Sequence, residues 1–254
     1  MASQAQDLPD ETAPIQFGLP ILALMAALAF ALSGAGSHTV WYVVRATGVV
    51  SYALVTLTVV CGLLVSNRAM ASGRPRVDVY EVHRFLALVA ISAAGFHAVT
   101  LLLDSYIGFS PVQIVVPFTS AYRPLAVAFG IMALYGAVAV YASFYVKKWI
   151  GYRTWRALHY GSFVVFALAS YHGILSGADS GQAWMLAVYG AAIITVMALV
   201  VYRIIRVSET EAAKTERVVT PVNTSRAAAP QQRYGLPPDE TAWRPPARQA
   251  PSAD

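Results

Sequence analysis

Six apolar runs, each long enough to cross a bilayer, constrain this chain more than anything else in it. They cover roughly residues 15–33, 39–66, 82–103, 124–146, 157–176 and 183–205, and about 20 apolar residues suffice to span the hydrocarbon as a helix. Lipid offers no partner for a backbone N–H or C=O, so such a run satisfies its own hydrogen bonds by coiling into a helix. A chain with 57% apolar and only 12% charged residues has little left for a soluble domain. The expected fold is therefore an all-α membrane protein, a bundle of six transmembrane helices over residues 15–206. A polar segment, 1–14, precedes it, and a tail, 207–254, follows. The tail is rich in Pro, Ala and polar residues and has no periodic apolar face, which predicts disorder.

Basic residues orient the bundle, because short cytoplasmic loops retain Lys and Arg. Arg68, Arg74 and Arg76 follow the second run, Lys147, Lys148, Arg153 and Arg156 lie between the fourth and fifth, and Arg203 and Arg206 close the sixth. These loops are expected to face the cytoplasm, with both termini on that side. The net charge of +5 then reads as topology and anionic-lipid contact rather than nucleic-acid binding. The first run is expected to stay as a helix, since Asp7, Asp10 and Glu11 precede it without any Lys or Arg, the wrong charge for a cleaved leader. A chain with no transit-type leader fits a bacterial plasma (inner) membrane.

Histidines inside the apolar runs carry the chemistry. His83 and His97 are fourteen residues apart in the third run, and His159 and His172 thirteen apart in the fifth. At about 1.5 Å per residue the first two lie about 21 Å apart, too far to share one ligand. The third and fifth runs point the same way through the membrane. His83 therefore comes level with His159, and His97 with His172.

A closed zinc or copper site would recruit three or four ligands, and no carboxylate or thiol accompanies these pairs. Haem brings four nitrogens of its own and needs only one or two axial ligands. Two haems, each between two histidines, is the reading that uses all four residues. The single cysteine, Cys61, excludes a covalent CxxCH attachment. Small residues beside the ligands, Gly95, Gly161 and Gly173, are expected to let a flat macrocycle approach. A thirteen-residue step turns about 140° around an ideal helix, against about 40° for fourteen. The fifth helix must therefore bend, or present its histidines on different sides. His38 has no partner at its depth and reads as a surface residue.

These spacings, with "VRATGVVSYALVTLTV", "EVHRFLAL", "VPFTSAYRPLAVAFG" and "WRALHYGSFVVFALASYHGILSGAD", resemble the ferric reductase-like transmembrane domain. That superfamily includes the membrane cores of NADPH oxidases and ferric metalloreductases and the haem subunit of bacterial methionine sulfoxide reductase. The resemblance covers about residues 38–206. It implies two b-type haems carrying electrons across the membrane, held by His83 with His159 and His97 with His172. It implies propionate contacts for Arg45, in an Arg-x-Thr-Gly pattern, and offers Arg84, Arg156 and Arg123 as further candidates.

The flavin and nicotinamide module of many relatives needs a barrel and a glycine-rich phosphate loop, and the tail has neither. "PFTS", Pro117 to Ser120, has no such barrel around it. FAD is therefore expected only on a partner, a cytoplasmic flavoprotein; quinol within the bilayer is an equally compatible donor. The acceptor on the outer side would be ferric iron, oxygen or a partner redox enzyme. The competing readings are a haem or metal transporter and a structural subunit whose histidines are merely packed.

Overall fold

In a computed structural model the described residues are 13–34, 36–67 and 74–219. Arg68, the first twelve residues and most of the tail, including "YGLPPDETAWRPPA", lie outside them. Every regular element among the described residues is helical: α1 (Ala13–Leu32), α2 (Ser37–Ser66), α3 (Arg74–Thr100), a 3-10 turn (Leu101–Leu103), α4 (Pro111–Val115), α5 (Pro124–Ser143), α6 (Lys147–Ser176) and α7 (Ala183–Val219). Five stretches, within α2, α3 with its 3-10 turn, α5, α6 and α7, are long and apolar enough to cross a membrane. A helix also stands where the first span is expected, as α1. The chain is an integral membrane protein.

Two antiparallel hairpins, α2–α3 and α5–α6, make up the centre, with α2 against α6 and α3 against α5. Tyr52, Val59, Leu63 and Phe166 form a buried cluster with Met185, Tyr189, Ala192 and Val196 of α7. Outward-facing side chains such as Val164, Ile194 and Ile204 are exposed and apolar, as a surface bathed in lipid requires.

Local sequence explains where the helices begin and bend. Pro111 and Pro124 each start a helix, a place where the missing N–H leaves nothing unsatisfied. The backbone N–H of Ser110 donates to Gln113 Oε1 at 3.0 Å. Gly151 is in the left-handed region (φ 79°, ψ 160°) and kinks α6 near its start, a conformation that glycine adopts without penalty. Helix α7 continues to Val219, past the apolar run. Its "SETEAAKTER" is rich in the strong helix formers Glu, Ala, Lys and Arg. The chain divides into two units, which part after Ser208.

Candidate functional site

All four membrane histidines line one continuous cavity of about 870 Å³ running along the bundle. His83 of α3 and His159 of α6 face each other with ring centroids 6.1 Å apart and planes crossed at 71°. His97 and His172 do the same at 6.3 Å and 73°. The depth pairing expected from sequence is therefore the pairing present.

One local device holds three of these rings. His83 Nδ1 bonds Thr58 O at 2.9 Å, His97 Nδ1 bonds Val44 O at 3.0 Å, and His172 Nδ1 bonds Ala126 O at 2.8 Å. A carbonyl can only accept, so each Nδ1 carries the proton and each Nε2 is left as the free nitrogen.

Four residues beyond each of those carbonyls stands a glycine: Gly62, Gly48 and Gly130. A methyl at Gly62 or Gly48 would come within 3.1 Å of the His83 or His97 ring, and one at Gly130 within 2.6 Å of His172 Nδ1. In a helix the carbonyl at i−4 already accepts the N–H at i but keeps a second lone pair. The missing Cβ at i clears the way for the imidazole to reach it. Gly48 and Gly62 are fourteen apart, the same step as His97 and His83 on the antiparallel neighbour, so one register of α2 serves both rings.

His159 lacks this support. Its ring lies on Trp155, with centroids 5.2 Å apart and planes at 29°, and among the described residues no hydrogen bond reaches it. The thirteen-residue spacing is the reason. No non-helical residue lies between His159 and His172, because the only one in α6 is Gly151. The two side chains therefore leave a regular helix about 140° apart, and with His172 directed at α5, His159 cannot be. Of the two ways a thirteen-residue step can be accommodated, the helix presents its histidines on different sides.

The glycines singled out from sequence have other neighbours. A Cβ at Gly173 would meet the Tyr189 hydroxyl at 2.8 Å, one at Gly161 would meet Val140, and Gly95 faces open space. The glycines that admit the imidazoles are a separate set, and on α2 their signal is the fourteen-residue repeat. His38 is exposed, as expected.

Three of the four candidate arginines, Arg45, Arg84 and Arg156, line the cavity; Arg123 does not. Arg45 forks onto both carboxylate oxygens of Asp179, with Nε to Oδ2 at 2.8 Å, and lies 4.1 Å over the Trp41 ring. Arg84 bonds Glu81, Arg156 bonds the Tyr160 hydroxyl at 3.2 Å, and Arg123 donates to the Leu175 carbonyl at the end of α6. Asp179 is the residue that sequence reasoning passes over, since nothing in "GILSGADSGQ" ties it to a position 134 residues earlier.

The Arg45–Asp179 fork pins the α6–α7 loop to α2, with side chains 27% and 18% exposed. Its worth lies between the about 0–1 kcal/mol of an exposed pair and the roughly 3–5 kcal/mol lost when one partner of a buried pair is removed. Asp179→Leu should lower the thermal midpoint of the detergent-solubilised protein, and adding Arg45→Met should recover part of the loss. A double variant no better than the single would mean that the pair is uncoupled.

Residues 47–170 match the family described as the ferric reductase like transmembrane component. This part of the chain is a ferric reductase-like transmembrane domain. The match holds His83, His97 and His159 and stops two residues short of His172, so geometry alone pairs His172 with His97. No curated protein and no solved structure matches the chain.

The residues suit haem better than a bare ion. Metal–imidazole bonds of about 2.0–2.1 Å put two ring centroids on one metal about 6 Å apart, and both pairs have that separation. Among the described residues no group of three or more His, Cys, Asp or Glu is placed to hold a metal. The chain thus offers two ligands at each pair, which is the number a haem asks of a protein, and the cavity beside the histidines has room for one.

Proposed function

We propose that the chain is a dihaem b-type cytochrome subunit that carries single electrons across the membrane. Its donor is a separate cytoplasmic flavoprotein or quinol, and its acceptor lies on the outer side. The observation that carries this reading is the doubled pairing, His83 with His159 and His97 with His172, at the separation one iron requires. His83 with His159 and His97 with His172 would hold the two haems, which would supply one-electron ferric–ferrous chemistry.

The chain's own residues do the rest. Nδ1–H bonds to backbone carbonyls fix the tautomer and orientation of three rings. The glycines opposite them admit the rings. Arg84 and Arg156 supply cationic groups beside the His83–His159 pair, where an anionic propionate is stabilised. Arg45, already paired with Asp179, lines the cavity at the other pair. The basic segment Lys147–Arg156 is the docking face for the donor.

The test is a reduced-minus-oxidised visible spectrum of the purified chain with haem quantified per polypeptide. Two low-spin b-type haems are expected. With the imidazole planes crossed at 71° and 73°, ferric haem held between them would be expected to give strongly anisotropic electron paramagnetic resonance signals. A preparation without haem would sink the reading and return the histidines to packing.

A further inference from the structure

The carbonyl-and-glycine device, present at three histidines and missing at the fourth, makes the two pairs chemically unequal; the inference rests on the haem reading above. An imidazole whose Nδ1–H is bonded to a carbonyl gains imidazolate character, so its Nε2 donates more strongly and favours ferric over ferrous iron. The His97–His172 pair has two such bonds. The His83–His159 pair has one, at His83.

Fixed charge acts in the same direction. The cavity wall near His159 carries Arg84, Arg156 and Arg203, and Arg203 shares the Tyr160 hydroxyl with Arg156. Among the described residues Arg84 pairs with Glu81, whose side chain is 56% exposed and therefore screened by solvent, as is the exposed Arg156. At the other end Arg45 is neutralised by Asp179, and Asp104, 3% exposed, adds a second carboxylate to the wall. Cations favour the reduced state, which carries one positive charge fewer, and carboxylates favour the oxidised one, so the buried Asp104 weighs most and the solvent-exposed Arg156 least.

We propose that the His83–His159 pair sets the higher midpoint potential and the His97–His172 pair the lower. The first electron accepted from any one-electron donor then resides at His83–His159. Gly48, Gly62 and Gly130 are positioning residues that act through the rings they admit. His159 is the ligand left without a backbone anchor.

The experiment is a potentiometric titration of the full-length, haem-loaded protein followed by visible absorbance. Two steps are expected in the unaltered chain. His172→Ala should retain only the higher step and His159→Ala only the lower; the reverse assignment, or coincident steps in the unaltered chain, would overturn the ordering. Gly48→Ala keeps all four ligands while crowding His97 away from Val44 O, and should move the lower step upward and leave the higher in place. Movement of the higher step instead would overturn it as well. Two haems in the wrong order defeat the ordering alone, whereas a chain without haem defeats the reading beneath it.

Discussion

Replacing His97 with alanine is expected to halve the haem content of the purified protein, from two per chain to one, and replacing His83 should do the same at the other pair. Each substitution removes one of two facing imidazoles, and no other side chain stands ready to replace it, because among the described residues the histidines occur in twos and not in larger groups of ligands. The loss should extend to folding. A ligand that binds only the folded chain, present at about a thousand times its dissociation constant, stabilises it by about 4 kcal/mol. Haem bridging α3 and α6 would tie together two hairpins that also meet through α2–α6 and α3–α5 packing. Haem assayed per polypeptide together with the thermal midpoint checks both parts. Two haems retained in His97→Ala would refute the pairing of His97 with His172, and an unchanged midpoint would mean that the bundle does not lean on its cofactor.

The sequence makes these pairs legible because helical rise converts residue number directly into depth. Fourteen and thirteen residues are nearly the same height, so matching His83 to His159 and His97 to His172 needs only that α3 and α6 run in the same direction. Azimuth is harder. The awkward turn of a thirteen-residue step is visible in the sequence, but its consequence is not: His172 is anchored on α5 and His159 is left against Trp155. The glycines show the same division. Gly95, Gly161 and Gly173 stand beside the ligands in sequence, where the expectation concerns a macrocycle, whereas an imidazole reaches outward to a neighbouring helix, so the glycines that admit it are on α2 and α5. The Arg45–Asp179 pair is invisible for a related reason, since two charges at opposite ends of the domain meet only once the α6–α7 loop folds back over α2.

Alanine at Gly130 is expected to displace His172 and lose most of the haem held by the His97–His172 pair. The sign of the effect tells packing from function. In an exposed or loosely packed helix interior, Gly→Ala stabilises by about 1 kcal/mol through propensity, so a glycine retained only by chance would improve the protein when replaced. Here the new Cβ would lie 2.6 Å from His172 Nδ1, 2.7 Å from Cε1 and 2.9 Å from Cγ. It would meet the flat of the ring near its root rather than a flexible tip. The ring cannot retreat without breaking its 2.8 Å bond to Ala126 O and leaving its station opposite His97. Overpacking of this kind costs about 1–3 kcal/mol, enough to outweigh the propensity gain. At Gly48 and Gly62 the nearest approach is 3.1 Å, a few tenths of an ångström from ordinary contact, so alanine there should disturb its ring without ejecting haem. Haem per chain should therefore fall most for Gly130→Ala and least for the two α2 variants. A Gly130→Ala protein with two haems and a raised thermal midpoint would show that His172 has room to move, and that the close approach does not hold it in place.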